Sequence, residues 1–149
     1  MTQTPTKQTL YDSDLNLWLE TAIAQLQTGD LQNLDIENLI EELEGLAGRD
    51  RRELQSRLKR LIEHILKRCY VDMPDCYRGW EVTIINQRDE INEIFMQSPS
   101  LKRIFLEIFD DAFTKDLKIV KTEYPTTQFC DRWLFNKSID SLLTIDFWG

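Results

Sequence analysis

The chain has 149 residues, of which 42% are hydrophobic and 30% charged, a composition typical of a single globular domain. Its formal net charge of −8 opposes nonspecific attraction to nucleic-acid phosphates. Its apolar runs are too short to cross a bilayer and the start MTQTPTKQTLY lacks the apolar core of a secretory signal, so we expect a cytoplasmic protein with no membrane association.

The N-terminal residues predict an arm followed by a first helix. Residues 1–9 are polar and show no apolar period, which is typical of a flexible arm. Asp12 or Ser13 can cap a helix that ends at Gly29. Its apolar residues recur at helical spacing and are expected to form one buried stripe: Leu15, Trp18, Leu19, Ala22, Ile23 and Leu26.

Two further helices follow, and Gly48 decides whether they are separate. Asp35 can cap a second helix that ends around Gly45 to Gly48, and a third can run from Asp50 to about Tyr70. Alternatively, Gly48 is only a kink and the two helices merge. The second helix places Ile36, Leu39, Ile40, Leu43 and Leu46 on one side and an acidic surface on the other.

The second half of the chain predicts a loop and two long helices. Residues 71–79 contain a proline and a glycine and read as a loop before a fourth helix at residues 80–95. Ser98 followed by Pro99 predicts the start of a strongly apolar fifth helix, because serine caps helices and proline is tolerated in the first turn. That helix should close near Tyr124.

The C-terminus predicts a short sixth helix after Ser138, with Ile145, Phe147 and Trp148 docking on the remaining helices. Together these segments predict an all-α fold. We expect a single-domain helical bundle over residues 10–149, with about five main helices and a short C-terminal helix.

Familiar catalytic and cofactor motifs are missing from the sequence. It contains no phosphate-binding glycine loop, no nucleophile elbow and no H-E-x-x-H motif. Cys69, Cys76 and Cys130 lack the C-x-x-C spacing of a zinc site, and His64 is the only histidine. We therefore name no catalytic residue and expect neither a cofactor nor a metal.

Two polar residues interrupt predicted apolar faces. Gln87 shares a face with Trp80 and Ile84, and Asp116 lies among Phe109 and Ala112. Buried polar groups need partners, because an unsatisfied one costs roughly 1–3 kcal/mol. We hypothesise a polar cluster drawn from Glu42, Arg57, His64, Gln87, Arg88 and Asp116. It is either a network that fixes helix register, the commoner case, or a small-molecule or acid–base site.

Charged residues on the second and third helices have similar alternatives. Glu37, Glu41 and Glu44 project from one helix surface and could bind a divalent cation, although a solvated or helix-pairing face is commoner. The cations of the third helix are spread around its axis, and Glu53 and Glu63 can pair with them at i+4. We therefore do not expect nucleic-acid binding.

The order of segments resembles a known family, catalogued as domain of unknown function number twenty-nine and found largely in cyanobacteria. The segments are LYDSDLNLWLE, LDIENLIEELEGL, RRELQSRLKRLIEHILKRCY, GWEVTIINQR, SPSL and IDFW, and they span residues 10 to 148. The resemblance implies a helical bundle in the bacterial cytoplasm and implies no activity. Residues that match the family pattern are Asn38, Glu41, Glu42, Glu44, Arg57, His64, Tyr70, Trp80, Gln87 and Arg88.

These observations favour a noncatalytic module that binds an unidentified protein partner, or forms a homo-oligomer, through an exposed helical or C-terminal aromatic surface. The alternative is a small-molecule-binding domain or an enzyme that uses His64, Gln87 and Arg88, with Glu42 or Asp116 as the carboxylate. Nucleic-acid binding by the third helix ranks last.

Overall fold

The structure, a computed structural model, describes residues 7–149 and confirms the all-α fold. Within these residues there is no β-strand, and six α-helices and one 3-10 helix account for the regular structure. The α-helices are α1 (Lys7–Ser13), α2 (Leu15–Thr28), α3 (Ile36–Tyr70), α4 (Pro74–Gln97), α5 (Phe105–Glu123) and α6 (Ile139–Thr144), and the 3-10 helix (Pro99–Ile104) precedes α5.

The described residues form two compact units, divided between Arg49 and Asp50 inside α3. The N-terminal unit comprises the described residues up to Arg49, and the C-terminal unit comprises Asp50–Gly149. The single domain expected for residues 10–149 stays a prediction, since one continuous helix contributes to both units.

Short α1 begins inside the segment predicted to be a flexible arm. Residues 7–9 belong to α1, whereas the rest of the arm lies outside the described residues. The helix lacks an apolar period, but Tyr11 holds it in place: its ring packs 4.8 Å from the Trp18 ring, and its hydroxyl donates to Glu42. Tertiary contacts of this kind override weak local preference.

The cap of α2 is Asp14, not Asp12 or Ser13. Because α1 includes residues 12 and 13, the first nonhelical residue is Asp14, whose carboxylate accepts a hydrogen bond from the Leu17 N–H at 3.0 Å. The predicted end of this helix is confirmed, since Gly29 closes it in the left-handed conformation with φ of +74°.

After a short loop, α3 returns antiparallel to α2. Near the loop the Gln25 side chain donates to the Asn33 carbonyl at 3.2 Å, and about two turns earlier in α2 the Trp18 indole donates to Asp35 at 3.1 Å. These contacts make α2 and the first turns of α3 a helical hairpin, in which Trp18, Ala22 and Leu34 are the buried apolar side chains.

The predicted second and third helices are one 35-residue helix, α3, so the merged alternative is correct. Gly45 and Gly48 both lie within it, although each glycine costs about 1 kcal/mol relative to alanine in a helix interior. The second part of α3 forms the spine of the C-terminal unit. Five of its apolar side chains there have no exposed surface: Leu54, Leu58, Leu61, Ile62 and Ile65.

Helix α4 starts six residues before the predicted position. The loop prediction was wrong for residues 74–79, because Pro74 occupies the first helical turn, where its missing N–H costs nothing, and Gly79 lies within the helix. Ser98 does not cap the next helix with its side chain. Its hydroxyl instead donates to Asp50 at 2.6 Å, the chain continues as the 3-10 helix, and α5 begins at Phe105.

The core of the C-terminal unit lies where α3, α4, α5 and α6 meet. Ser138 caps α6 as predicted, accepting from the Ser141 N–H at 3.1 Å. Phe147 and Trp148 pack against the core as predicted, whereas Ile145 stays 45% exposed. The irregular segment before α6 is held by Trp133, whose ring contacts Phe109, Phe113, Phe135 and Phe147 at 5.1–5.8 Å.

Two glycines should respond oppositely to alanine. Gly29→Ala places a side chain in the left-handed region and should lower the local stability of α2 by about 1 kcal/mol. Gly79→Ala should raise the local stability of α4 by about 0.5–1 kcal/mol, because alanine favours a helix more than glycine does and its methyl group meets no atom within 4 Å. Hydrogen exchange of the α2 and α4 amides measures both changes, and equal signs would contradict the assigned conformations.

Candidate functional site

Only two members of the predicted polar cluster meet directly. Arg57 on α3 donates from Nη1 to Gln87 Oε1 on α4 at 3.4 Å, and Gln87 is buried. The expectation that Gln87 needs a partner is thereby confirmed. Arg57 also lies 3.8 Å from both Glu53 and Glu90, so its charge is balanced within the C-terminal unit.

Arg88 anchors the C-terminal segment. Its Nε donates to the Leu142 carbonyl at 2.9 Å, its Nη2 donates to the Ile145 carbonyl, and its Nη1 lies 3.4 Å from Asp146. The two carbonyls lie at the C-terminal end of α6, where cations satisfy otherwise unpaired acceptors. Burial lowers the pKa of Arg88, and Asp146 partly offsets this. These contacts give Arg88 a structural role, which is to hold the end of α6.

His64 and Glu42 have local partners of their own. The His64 Nδ1 lies 2.8 Å from the Arg60 carbonyl one turn earlier, so that nitrogen carries the proton and donates. Burial lowers the pKa of His64, which favours the neutral ring. Glu42 lies in the N-terminal unit and accepts from Tyr11, and this bond raises the pKa of Tyr11 to about 12.

Asp116 is fully buried on α5, and between residues 7 and 149 no donor makes a hydrogen bond of normal geometry to either carboxyl oxygen. The prediction that it could not be buried without a partner was wrong. Burial, helped by the Glu63 charge, raises the pKa of Asp116 to about 8, while Lys59 and Lys67 oppose the shift. The side chain is therefore neutral at pH 7, which avoids the larger cost of burying a charge.

A buried lysine near Asp116 is missing from the predicted cluster. Lys67 on α3 lies 3.1 Å from Glu63 and 3.5 Å from Glu123 on α5, and its ammonium lies 5.9 Å from the Tyr124 ring centroid. Burial lowers the pKa of Lys67, but the two glutamates outweigh burial and the net pKa is raised. The Glu63–Lys67 spacing was visible in the sequence, but it gave no sign that the pair is buried against α5.

Arg68 also contacts groups of the protein itself. Its guanidinium carbon lies 3.8 Å from the Tyr77 ring centroid and 5.2 Å from that of Trp148, and its Nε lies 3.3 Å from Glu81. Together with Arg57 and Lys67, it shows that several cations of the third predicted helix contact protein groups. Those contacts weaken the nucleic-acid alternative.

The largest departure from expectation is on the hairpin of the N-terminal unit. Apolar side chains that were expected to form buried stripes are 44–60% exposed. We define the hairpin face as seven of them: Leu15, Ile23 and Leu26 on α2, and Ile36, Ile40, Leu43 and Leu46 on α3. The apolar spacing correctly predicted helices here, but only Trp18 and Ala22 of the α2 stripe are buried. Periodicity shows which residues share a side and not what covers them.

Both parts of the hairpin face lie on the same side. At about 100° per residue, the α2 stripe lies about 75° clockwise from buried Trp18 and Ala22, viewed from the helix N-terminus. On α3, the stripe lies about 120° clockwise from buried Asn38 and from Glu42, whose partner Tyr11 packs against Trp18 of α2. Both rotations are clockwise when each helix is viewed from its own N-terminus. Because the two helices are antiparallel, the two stripes therefore lie on the same side of the hairpin.

A metal-binding cluster and a membrane-spanning helix are both absent from the described residues. No group of three or more His, Cys, Asp or Glu side chains between residues 7 and 149 converges as a metal site would require. In the same range, no helix combines the length and apolar content needed to cross a bilayer.

Comparison with known proteins assigns the chain to a family. A family model described as Domain of unknown function DUF29 matches residues 10–148. The chain belongs to this family. No curated protein and no solved structure matches it significantly. The DUF29 description assigns no activity.

Asp116 should give this DUF29 chain a distinctive pH dependence. Its pKa is about 8 when folded and 3.8 when unfolded, so the native state holds the proton more tightly between these values. The free energy of unfolding should fall as pH rises from about 4 to 8, by up to about 1.4 kcal/mol per pH unit, and then level off. Asp116→Asn should remove this contribution, whereas exposed Asp111→Asn should retain it. Denaturant unfolding across pH measures it, and equal slopes for all three proteins would contradict the assignment.

Arg88 should be required for order at the C-terminus. Arg88→Ala removes the donors to the Leu142 and Ile145 carbonyls, so the amides of α6 should exchange about tenfold or more faster, since each charged hydrogen bond contributes about 1.5–3 kcal/mol. Arg78→Ala is the control, because Arg78 is exposed on the same helix. Unchanged exchange in α6 would exclude the anchoring role.

Proposed function

We propose that this chain is a noncatalytic protein-interaction module of the bacterial cytoplasm, and that the hairpin face binds its partner. The supporting observation is the set of seven half-exposed aliphatic side chains on one side of the hairpin. Single exposed aliphatic residues are normal on protein surfaces, but a contiguous group of this size is typical of an interaction site.

The energetics agree with a binding role. Full burial of a leucine or isoleucine contributes about 1.5–3 kcal/mol, so covering the exposed half of seven would contribute about 5–10 kcal/mol. Association costs about 4–15 kcal/mol in lost freedom of motion. The hairpin face can therefore provide the apolar centre of an interface, while surrounding contacts must complete the affinity and provide specificity.

The polar residues support the noncatalytic part of the proposal. Arg57 and Gln87 bind each other, and Arg88 binds carbonyls of the C-terminal segment. His64 has its own backbone partner, and among the described residues no hydrogen bond of normal geometry reaches the Asp116 carboxyl group. This distribution favours structural roles for the groups on which the enzyme alternative depends.

A face variant should lose a partner without losing the fold. Ile40→Ser together with Leu43→Ser removes two side chains that are at least half exposed, so the free energy of unfolding should change little. Quantitative mass spectrometry after affinity capture from the native host should show a stoichiometric protein that the wild type retains and this variant loses. Purified partner should then bind only the wild type.

The matched control is Leu106→Ser together with Leu134→Ser, which changes two similarly exposed leucines in the C-terminal unit. This control should retain the partner. Identical sets of captured proteins for the wild type and the face variant would overturn the proposed function.

A further inference from the structure

The negative charge of the chain is concentrated around the hairpin face. Residues 10–49 contain nine acidic residues and one basic residue, Arg49, whereas residues 50–149 contain 17 acidic and 16 basic residues. The overall net charge of −8 thus comes almost entirely from the N-terminal unit. A partner of the hairpin face must therefore approach through a strongly negative field.

Carboxylates border the face at its outer edge and at both ends. Along the outer edge of α3, Glu37, Glu41 and Glu44 follow the apolar stripe, beginning about 40° around the helix from Ile40. They have no ion-pair or hydrogen-bond partner among the described residues. Four further acidic residues lie near the two ends of the hairpin: Asp12 and Asp14 at one end, Asp30 and Asp35 at the other.

The dimensions of the face suit one helix. From Leu15 to Leu26 the α2 stripe is about 17 Å long, and from Ile36 to Leu46 the α3 stripe is about 15 Å long. Two antiparallel helices side by side leave a groove between their exposed ridges, and a helix with apolar residues at i, i+3 or i+4, and i+7 fills such a groove. About three turns of a partner helix span it.

On the basis of the proposed function, we infer that the occupant of the hairpin face is an amphipathic helix of a partner protein whose apolar stripe is flanked by lysine or arginine. The apolar side chains would enter the groove, and the flanking cations would meet Glu37, Glu41 and Glu44. Complementary charges of this kind accelerate encounter and fix orientation, while the buried apolar contacts supply most of the affinity.

A second copy of the chain fits the face less well. Symmetric pairing would bring together two units that each carry nine acidic residues and one basic residue over residues 10–49. Like charges within a Debye length, about 8 Å at physiological ionic strength, repel each other. Charge complementarity therefore favours a basic partner over self-association.

The test uses the full chain and synthetic peptides of about 18 residues, five helical turns. One peptide has leucines at alternating 3- and 4-residue spacing with lysines on both flanks. A second has glutamate in place of every lysine, and a third keeps the lysines but has serine in place of every leucine. Fluorescence anisotropy at about 0.05 M and about 0.5 M salt measures each affinity, and sedimentation equilibrium measures self-association.

The lysine–leucine peptide should bind the wild type, and both control peptides should bind at least about tenfold more weakly. Ile40→Ser with Leu43→Ser, and separately Glu37→Gln with Glu41→Gln and Glu44→Gln, should each weaken binding about tenfold or more. Asp72→Asn with Asp75→Asn and Glu107→Gln is the matched charge control in the C-terminal unit, where all three residues are exposed, and should leave binding unchanged. High salt should weaken binding of the lysine–leucine peptide.

Three results would overturn the inference in distinguishable ways. Equal binding of the lysine- and glutamate-flanked peptides would leave the apolar face as a binding site but exclude selection for a basic partner. A wild-type dimer that Ile40→Ser with Leu43→Ser makes monomeric would identify a second copy as the occupant. No binding of any peptide would exclude a basic helix, and the capture experiment with the face variant would then decide by itself whether the proposed function also fails.

Discussion

Burial of the apolar side of α3 is the constraint on which the C-terminal unit depends. Leu54, Leu58, Leu61 and Ile65 have no exposed surface, and the side chains of α4, α5 and α6 pack into the same core. In the N-terminal unit the first turns of α3 have aliphatic residues at the same kind of spacing, but these are half exposed. The hydrophobic effect, the dominant stabilising term, is therefore much weaker there. Regions with few buried apolar side chains open most readily, and binding surfaces are often found in such regions.

Several polar residues of the predicted cluster have structural roles. Arg88 holds the end of α6, Arg57 satisfies buried Gln87, and Glu42 fixes α1 through Tyr11. Truncating one member of a buried polar pair leaves the other without a partner, at a cost of roughly 1–3 kcal/mol. The hairpin face needs a different explanation, because solvent exposure of aliphatic side chains does not stabilise the isolated chain.

Much of the fold could be predicted from local patterns, because caps and helix breakers act through neighbouring residues. Gly29 correctly marks the end of α2, and Ser138 correctly marks the start of α6. The apolar spacing also identifies every long helix. The start of α4 was missed because Pro74 suits a loop and a first helical turn equally well. Burial was harder, since it depends on elements distant in sequence. Thus the exposed stripe around Ile40 and the absence of any partner for buried Asp116 could be recognised only in three dimensions.

The raised pKa of Asp116 also couples folding to the uptake of a proton at this side chain. In neutral solution the unfolded chain carries this side chain as a carboxylate, whereas the folded chain holds it as the acid, so close to one proton is taken from the buffer each time this site forms. The apparent enthalpy of folding should therefore include the ionisation enthalpy of whichever buffer supplies that proton. The packing of α5 against α3 is in this way coupled to the acidity of the surrounding solution, through a single side chain that water does not reach.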